Sequence, residues 1–359
     1  MKTCFTIVIL LLLSTPAVAQ EDPKLDTSKD APGHRFGRQE PLPKNAGAIR
    51  IASYNVLNLF DREDDPALSG TYDDLAMATN DDRCQALARA IQSIDADILC
   101  VQEIESEDAL RWFRDTYLKD MGYDHIASRD VGYYRGVEQG VLSRYPITAV
   151  TTWADEDLSD MQGRKAGGRE SGWAKCEGEQ GKAFQRSPIM VDVVVPPTSK
   201  DKDPYALSLV VVHHKSGRDY NCQRESEALQ IVELLKTRIG DEPDLNLIVL
   251  GDFNASPGAK SVKVYQDAGY KNAYGERWQK TGNTRDLFRT HESNRAIDYI
   301  MLHPNAWSEI VEGSFQVVGT LHPGDDYNWR TDDPPSGYAA DHYPLLIDLT
   351  PVEESARGN

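Results

Sequence analysis

Asp252 and Asn254 stand two positions apart, directly after the apolar run Leu247-Ile248-Val249-Leu250 and the Gly251 that ends it. In an extended chain, residues i and i+2 point the same way. A carboxylate and an amide would therefore face one pocket just beyond a strand. An ionised Asp only accepts hydrogen bonds, whereas Asn also offers N–H donors, so the pair suits a site that positions a nucleophile and a charged oxygen. The other unusual polar residues also fall at the ends of apolar runs: Asn55, Glu103, His213, Asp298 and the pair Asp341-His342. Any one of these could be an ordinary cap. Taken together they put carboxylates, amides and imidazoles at strand ends, with no Ser or Cys nucleophile beside them.

That set has a definite chemistry. Carboxylate and amide oxygens suit a hard cation such as Mg²⁺, Mn²⁺ or Ca²⁺. A His takes a proton from water near neutral pH when a carboxylate fixes its tautomer. Combined, these parts describe metal-assisted hydrolysis of a phosphoester by water. They can act only if the fold brings them to one edge of a sheet, where open α/β sheets bind ligands.

The elements that must do this can be read from periodicity. Alternation marks a strand at 49–56, and apolar runs mark others at 96–101, 189–195, 205–212, 245–250 and 297–302, with a last one after His342. Shorter strands are expected near 124–127 and 139–143. Helical spacing appears at Arg83 to Ile94 (Leu87, Ala88, Ile91, Ile94), with Asp81 or Asp82 as its cap. It recurs at Glu107 to Leu118 (Leu110, Phe113, Tyr117) and at Asp219 to Arg238 (Ala228, Leu229, Ile231, Val232, Leu235). The Asp-rich stretch 61–81 reads as a loop, and 256–296 is polar with scattered aromatics. Residues 151–187 read as a long Gly-rich insertion with Arg164, Lys165, Arg169 and Lys175, either a solvated loop or a flap facing substrate. Strands that alternate with helices but also form hairpins imply mixed sheets. No linker interrupts 49–350, so one domain is expected, followed by a tail at 351–359.

Bulk properties narrow the partners. The chain has 359 residues, 40% of them hydrophobic and 27% charged, with a formal net charge of -18. Such a balance argues against gripping nucleic acid by bulk positive potential. It leaves room for a phosphoester enzyme whose local field is set by bound cations. Lys2, the apolar run Phe5 to Leu13 and Ala17-Val18-Ala19 read as a secretory signal peptide cleaved after Ala19. The run is short for a membrane span, so a secreted or periplasmic soluble protein is expected. Residues 20–48, rich in Pro, Gly, Lys and Asp, read as a flexible linker or a strap over the surface. Beyond the leader remain Cys84, Cys100, Cys176 and Cys222. An exported chain permits disulfides; Cys176–Cys222 is the favoured pair, and Cys84 and Cys100 are either a second pair or two buried thiols.

The motifs Ser53-Tyr54-Asn55-Val56, Gln102-Glu103, Gly140-Val141-Leu142-Ser143-Arg144-Tyr145-Pro146-Ile147, His213-His214-Lys215-Ser216, Gly251-Asp252-Phe253-Asn254, Ile297-Asp298-Tyr299-Ile300 and Asp341-His342-Tyr343-Pro344-Leu345 occur in this order. This series resembles the endonuclease/exonuclease/phosphatase superfamily, with its DNase I-like fold, over about residues 49–350. The resemblance implies a four-layer α/β sandwich of two packed mixed β-sheets flanked by helices. It implies a divalent-metal phosphodiesterase or phosphatase using in-line attack by water, with Mg²⁺ the first choice of ion. By the same resemblance Glu103 is the main metal ligand, with Asn55 and Asp341 near the ion. His342 is the general base oriented by Asp298, and His213 binds or protonates the phosphate. Asp252 and Asn254 position water and phosphate, and Glu138 is the candidate to support His213. Two departures bear on substrate choice: Val212 precedes His213 where many secreted nuclease relatives have Asn, and the 151–187 insertion is long. The opening Asn55-Val56-Leu57-Asn58-Leu59-Phe60-Asp61 is most similar to secreted bacterial nuclease-type members. A monomer acting on nucleic acid is expected; a lipid or small-molecule phosphatase is the alternative, and an inactive binding module a weaker one.

Overall fold

A computed structural model describes residues 36–68, 77–161, 182–197, 200, 203–275, 289–321 and 326–351. Its strands are β1 (Ile49–Leu59), β2 (Ile98–Ile104), β3 (His125–Ser128), β4 (Glu138–Ser143), β5 (Ile147–Thr152), β6 (Ile189–Val195), β7 (Tyr205–His213), β8 (Leu247–Asp252), β9 (Lys271–Asn272), β10 (Asp298–Leu302), β11 (Gln316–Val317) and β12 (Leu345–Leu349). The main helices are α1 (Asp81–Ile94), α2 (Glu107–Tyr117), α3 (Asn221–Asp241) and α4 (Lys260–Asp267). The strands form two six-stranded sheets, β11-β12-β1-β2-β4-β3 and β5-β6-β7-β8-β10-β9.

Each sheet is built around one parallel pair. β1 runs parallel to β2 and β7 parallel to β8, and every other neighbour is antiparallel. A parallel pair needs a crossover, and α1 and α3 supply it. The inner faces of the sheets pack together through Ile49, Ile51, Ile98 and Cys100 against Val191, Leu209, Val211 and Leu250. On the outer face of the first sheet, Ala52, Tyr54, Leu99 and Val101 meet Leu87 and Ile91 of α1 and Leu110 and Phe113 of α2. α3 packs beside α4 over the second sheet. The four-layer sandwich of two mixed sheets is therefore the observed architecture.

This topology dictates where the polar residues go. The carboxyl ends of the four central parallel strands carry Asn55, Glu103, His213 and Asp252. The antiparallel neighbours arrive from the other direction, so their amino ends lie on the same side. β4 starts at Glu138, β10 starts at Asp298, and Asp341-His342 lead into β12. Residues at strand ends and residues at strand starts thus share one rim.

The opposite rim is closed by ion pairs. Arg50 holds Asp348 through two hydrogen bonds of 2.7 and 3.0 Å, and Asp97 accepts from Lys44 at 2.8 Å and Arg144 at 2.9 Å. These bonds also fix part of the region expected to be a flexible linker. From Phe36 on it is a strap: Phe36 lies edge-on to Tyr343 at 5.6 Å, and Leu42 donates to Gln316 at 2.7 Å.

Several other local expectations need correction. Asn80, not Asp81 or Asp82, caps α1, its side chain accepting from the Arg83 amide at 2.9 Å. The start of the supposed insertion, 151–152, belongs to β5, an edge strand that shows little alternation because most of it is half-buried or exposed. Residues 162–181, with Arg164, Lys165, Arg169, Lys175 and Cys176, lie outside the described residues, as therefore does the Cys176–Cys222 pairing. Cys84 and Cys100 are both buried free thiols and do not pair. The polar stretch 256–296 contains α4, which buries Val262, Val264 and Tyr265. Among the described residues no helix is long and apolar enough to cross a membrane.

Candidate active site

Asn55 reaches the rim by simple alternation. Ile49 and Ile51 of β1 face the space between the sheets, and Asn55 continues that face. Its amide nitrogen lies 3.4 Å from Asp252 Oδ2, joining the two sheets, and its Oδ1 accepts from the Leu57 amide at 3.0 Å. Within β1 the pairing with β2 then slips, between Asn55 and Leu59, through two left-handed residues, Leu57 (φ 56°) and Asn58 (φ 51°). The half-buried Arg83 gathers this irregular stretch, its guanidinium donating to the carbonyls of Val56, Leu57 and Asn58. It also donates to Ala339 at 3.0 Å, two residues before Asp341. One cation thus links the Asn55 turn to the Asp341-His342 segment.

Glu103 is there by irregularity. Along β2, Leu99 and Val101 face the helices, so regular alternation would send residue 103 the same way. Instead the register slips: Gln102 sits opposite Gln139 and Ile104 opposite Glu138, leaving Glu103 as the extra residue of a bulge. Ile104 takes up the helix-facing position, and Glu103, at φ 65°, is turned to the rim. Bulges commonly re-aim a side chain beside a functional site, and a left-handed non-Gly residue costs about 1–3 kcal/mol. Its carboxylate lies 3.6 Å from His213 Nε2 and 4.0 Å from Arg135.

His213 and Asp252 are register partners in the parallel pair of β7 and β8. Asp252 Oδ2 lies 3.5 Å from His213 Nε2 and 3.8 Å from His342 Nε2. Asn254, left-handed at φ 48°, closes back on the same carboxylate: its backbone N–H and side-chain amide donate to Asp252 at 2.7 and 2.9 Å. The amide also reaches the His214 carbonyl at 3.0 Å. His342 Nδ1 lies 3.0 Å from both oxygens of Asp298, and Thr290 donates to Asp298 at 2.5 Å. His342 Nε2 is 3.9 Å from Asp341 Oδ1. A continuous line of contacts therefore runs from Glu103 through His213 and Asp252 to His342 and on to Asp298 and Asp341.

Electrostatics follow from burial and crowding. Burial and the neighbouring Asp298 charge raise the Asp252 pKa. Burial alone would lower that of His342, but Asp298 and Asp252 outweigh it and raise it. His213 moves the other way: burial and the positive charges of Arg186 and Arg135 hold it well below the usual range, so the ring is neutral. Neither of its nitrogens has a hydrogen-bond partner.

The expected roles of two groups need closer statement. Glu138 does not support His213, because both its oxygens and both nitrogens of His213 lack hydrogen-bond partners. Burial instead raises the Glu138 pKa to about 8, which makes it a neutral acid at moderate pH. A folded-state pKa above the ordinary 4.5 stabilises the fold below about pH 4.5, and that contribution is lost as pH rises through about 8. Glu138→Gln should abolish this loss, so urea titrations at pH 5 and pH 9 should show the variant gaining stability over wild type as pH rises. Asn55, Glu103 and Asp341 all stand at the rim. The ligand atoms within 4.8 Å of one another, however, are those of Asp252, Asp298 and His342 and of His291, Asp341 and His342. A hard cation still suits the donors: Asp341 Oδ1 is buried without a hydrogen-bond partner, and Glu103 adds an oxygen that faces His213.

Other contributors carry no strong sequence signal. Arg83, Arg135 and Arg186 sit in irregular or surface-like sequence, and only their contacts reveal them. Arg186 is buried against the Tyr133 ring at 4.7 Å and donates to the His214 carbonyl. His214, next to His213, points away from the rim into a buried relay, 3.0 Å from Glu227 and 3.1 Å from the Tyr265 hydroxyl. Its neighbour Lys215 donates a backbone N–H to the same Glu227 carboxylate, so the relay anchors the loop that follows β7. Thr290 and His291 lie in the polar stretch 256–296.

The geometry has parallels among known proteins. An endonuclease/exonuclease/phosphatase protein from Bacteroides vulgatus superposes with a TM-score of 0.51 at 18% identity, over 85% of this chain and 99% of that one. The human Nocturnin catalytic domain superposes at 0.50 and 15% identity, over 86% and 97%. At such identities these likenesses establish the fold alone. No curated protein matches the sequence significantly. The sequence profile described as the Endonuclease/Exonuclease/phosphatase family matches residues 52–342, and the chain belongs to that family.

Proposed function

We propose that this protein is a divalent-cation-dependent phosphodiesterase that hydrolyses nucleic acid by attack of water, acting as a monomer after export. The observation that carries the reading is the His342–Asp298 pair. Its two 3.0 Å contacts fix Nδ1 as the donor and leave Nε2 facing Asp252 and Asp341. An imidazole so held can accept a proton from water at Nε2, and the Asp298 carboxylate stabilises the imidazolium that forms. Glu103, Asp341 and the Asn55 oxygen are the groups that would hold the cation, whose charge would offset that of the phosphate and lower the pKa of a bound water. His213, neutral and unpartnered, would bind a phosphate oxygen, with the Asn254 amide beside it.

Support for a polyanionic substrate comes from the charge of the mouth. Arg135 lies by Glu103 and donates to Asn58 at 2.7 Å, and Lys215 lies over the Tyr220 ring at 4.5 Å. In a chain of net charge -18, these cations stand where phosphates would pass. Tyr134, 56% exposed beside Tyr133, offers a face on which a base could stack.

The test is a substrate panel with purified protein: plasmid DNA, RNA, bis-p-nitrophenyl phosphate, sugar phosphates and sphingomyelin vesicles, each with Mg²⁺, Mn²⁺, Ca²⁺ or EDTA. Metal-dependent cleavage of DNA or RNA, abolished by EDTA, is the expected result. Turnover of only sugar phosphates or sphingomyelin would replace the nuclease reading by a phosphatase or phospholipase one. No metal-dependent turnover at all would overturn the hydrolase reading.

A further inference from the structure

Residues 290–292 lie against the segment Asp341-His342-Tyr343. His291 and His342 form an antiparallel bridge, Glu292 donates its backbone N–H to the Asp341 carbonyl at 2.8 Å, and Tyr343 donates to the Thr290 carbonyl at 2.8 Å. Two adjacent side chains of this segment then reach two carboxylates of the rim. Thr290 takes Asp298, as described above. His291 takes Asp341: its Nε2 lies 3.3 Å from Oδ2.

The direction of that second contact is fixed locally. The Ser293 backbone N–H donates to His291 Nδ1 at 2.8 Å. A nitrogen that accepts a hydrogen bond carries no proton, so the neutral ring bears its proton on Nε2 and donates it to Asp341. The ring cannot swing away, because Trp329 lies edge-on to it at 4.7 Å on one side and His342 at 4.5 Å on another. With Oδ2 engaged in this way, Oδ1 is the oxygen left buried and unpartnered, turned towards the side where His342 Nε2 lies 3.9 Å away. His291 itself is a poor metal ligand in this arrangement, since the nitrogen that faces the cluster is the protonated one.

We propose that His291 is a positioning residue for Asp341: by donating from Nε2 to Oδ2 it orients the carboxylate so that Oδ1 is presented to a divalent cation. The inference rests on the reading that the rim takes such an ion, and it assigns a metal-tuning role to a residue outside the catalytic set. Groups that orient metal ligands typically change metal affinity by about 10–100-fold when removed.

The experiment measures metal binding directly on the full-length protein, using Mn²⁺ alone. Isothermal titration and the metal-induced rise in melting temperature, each variant referred to its own melting point in EDTA, are compared for wild type, His291→Phe, His291→Leu and His291→Gln. Phe keeps a flat ring against Trp329 but has no donor, Leu removes both, and Gln restores an N–H donor. The expected result is a Mn²⁺ dissociation constant raised about 10–100-fold in the Phe and Leu variants and brought most of the way back in the Gln variant. Because each melting shift uses its own baseline, a variant that loses stability still reports on the ion. Wild-type affinity in the Phe and Leu variants, or a Gln variant as weak as both, would overturn the role of His291. A wild-type protein that binds no Mn²⁺ would overturn the cation site itself, and this inference with it.

Discussion

Replacing His342 by Ala should lower the rate of phosphodiester cleavage by about 10²–10⁴-fold, the range a general base typically contributes. The fold should survive, because the ring packs at the rim and not between the sheets. The loss should appear in kcat more than in KM, since the imidazole acts on the attacking water and not on substrate binding. Asp298→Asn should reproduce much of the loss: an amide can turn its nitrogen toward Nδ1, which removes the reason for the proton to sit there and leaves Nε2 in the wrong protonation state. Steady-state kinetics on bis-p-nitrophenyl phosphate, with circular dichroism of each variant, would check both. An active His342→Ala enzyme would remove the base assignment, and an active Asp298→Asn enzyme would remove the pairing.

The second large effect is expected from a residue with no side chain. Gly251 sits at φ 136°, and a Cβ built on it would lie 2.1 Å from the Val212 carbonyl oxygen. Val212 and Gly251 are register partners in the parallel pair, and the next pair along is His213 with Asp252. Gly251→Ala must therefore push β7 and β8 apart one residue before both carry their site groups. Strain at such a backbone angle costs about 1–3 kcal/mol, and overpacking a tight site about 1–3 kcal/mol more. The variant should lose about 2–6 kcal/mol of stability by urea denaturation. Any folded fraction should have low activity, because the 3.5 Å approach of His213 to Asp252 depends on that register. A Gly251→Ala protein with wild-type stability and turnover would show that the strands tolerate the side chain.

Much of this arrangement was legible from residue order, and the reasons are specific. β7 and β8 are buried on both faces, so they read as near-continuous apolar runs, and their ends can be placed to within a residue or two. Asn55 follows from alternation. Glu103 does not: its position at the strand end was readable, but the bulge that turns it to the rim is a property of pairing with β4. Asn80 lost out to Asp81 and Asp82 because all three residue types make good caps, and only the structure shows which one stands before the first turn. α4 was hidden by its short length and the polar residues around it. Arg83, Arg135, Arg186 and His291 were missed for a common reason. Their roles rest on contacts across long sequence separations, such as Arg83 with Ala339, which no local pattern announces.

Each sheet owns only part of the chemistry. Asn55 and Glu103 end strands of one, with Asp341-His342 leading into a third, while His213, Asp252 and Asp298 belong to the other. Neither half alone can hold a cation, a base and that base's partner, since His342 and Asp298 come from different halves. Under the proposed mechanism, catalytic competence is therefore a property of the seam, acquired only when the two halves have closed on each other.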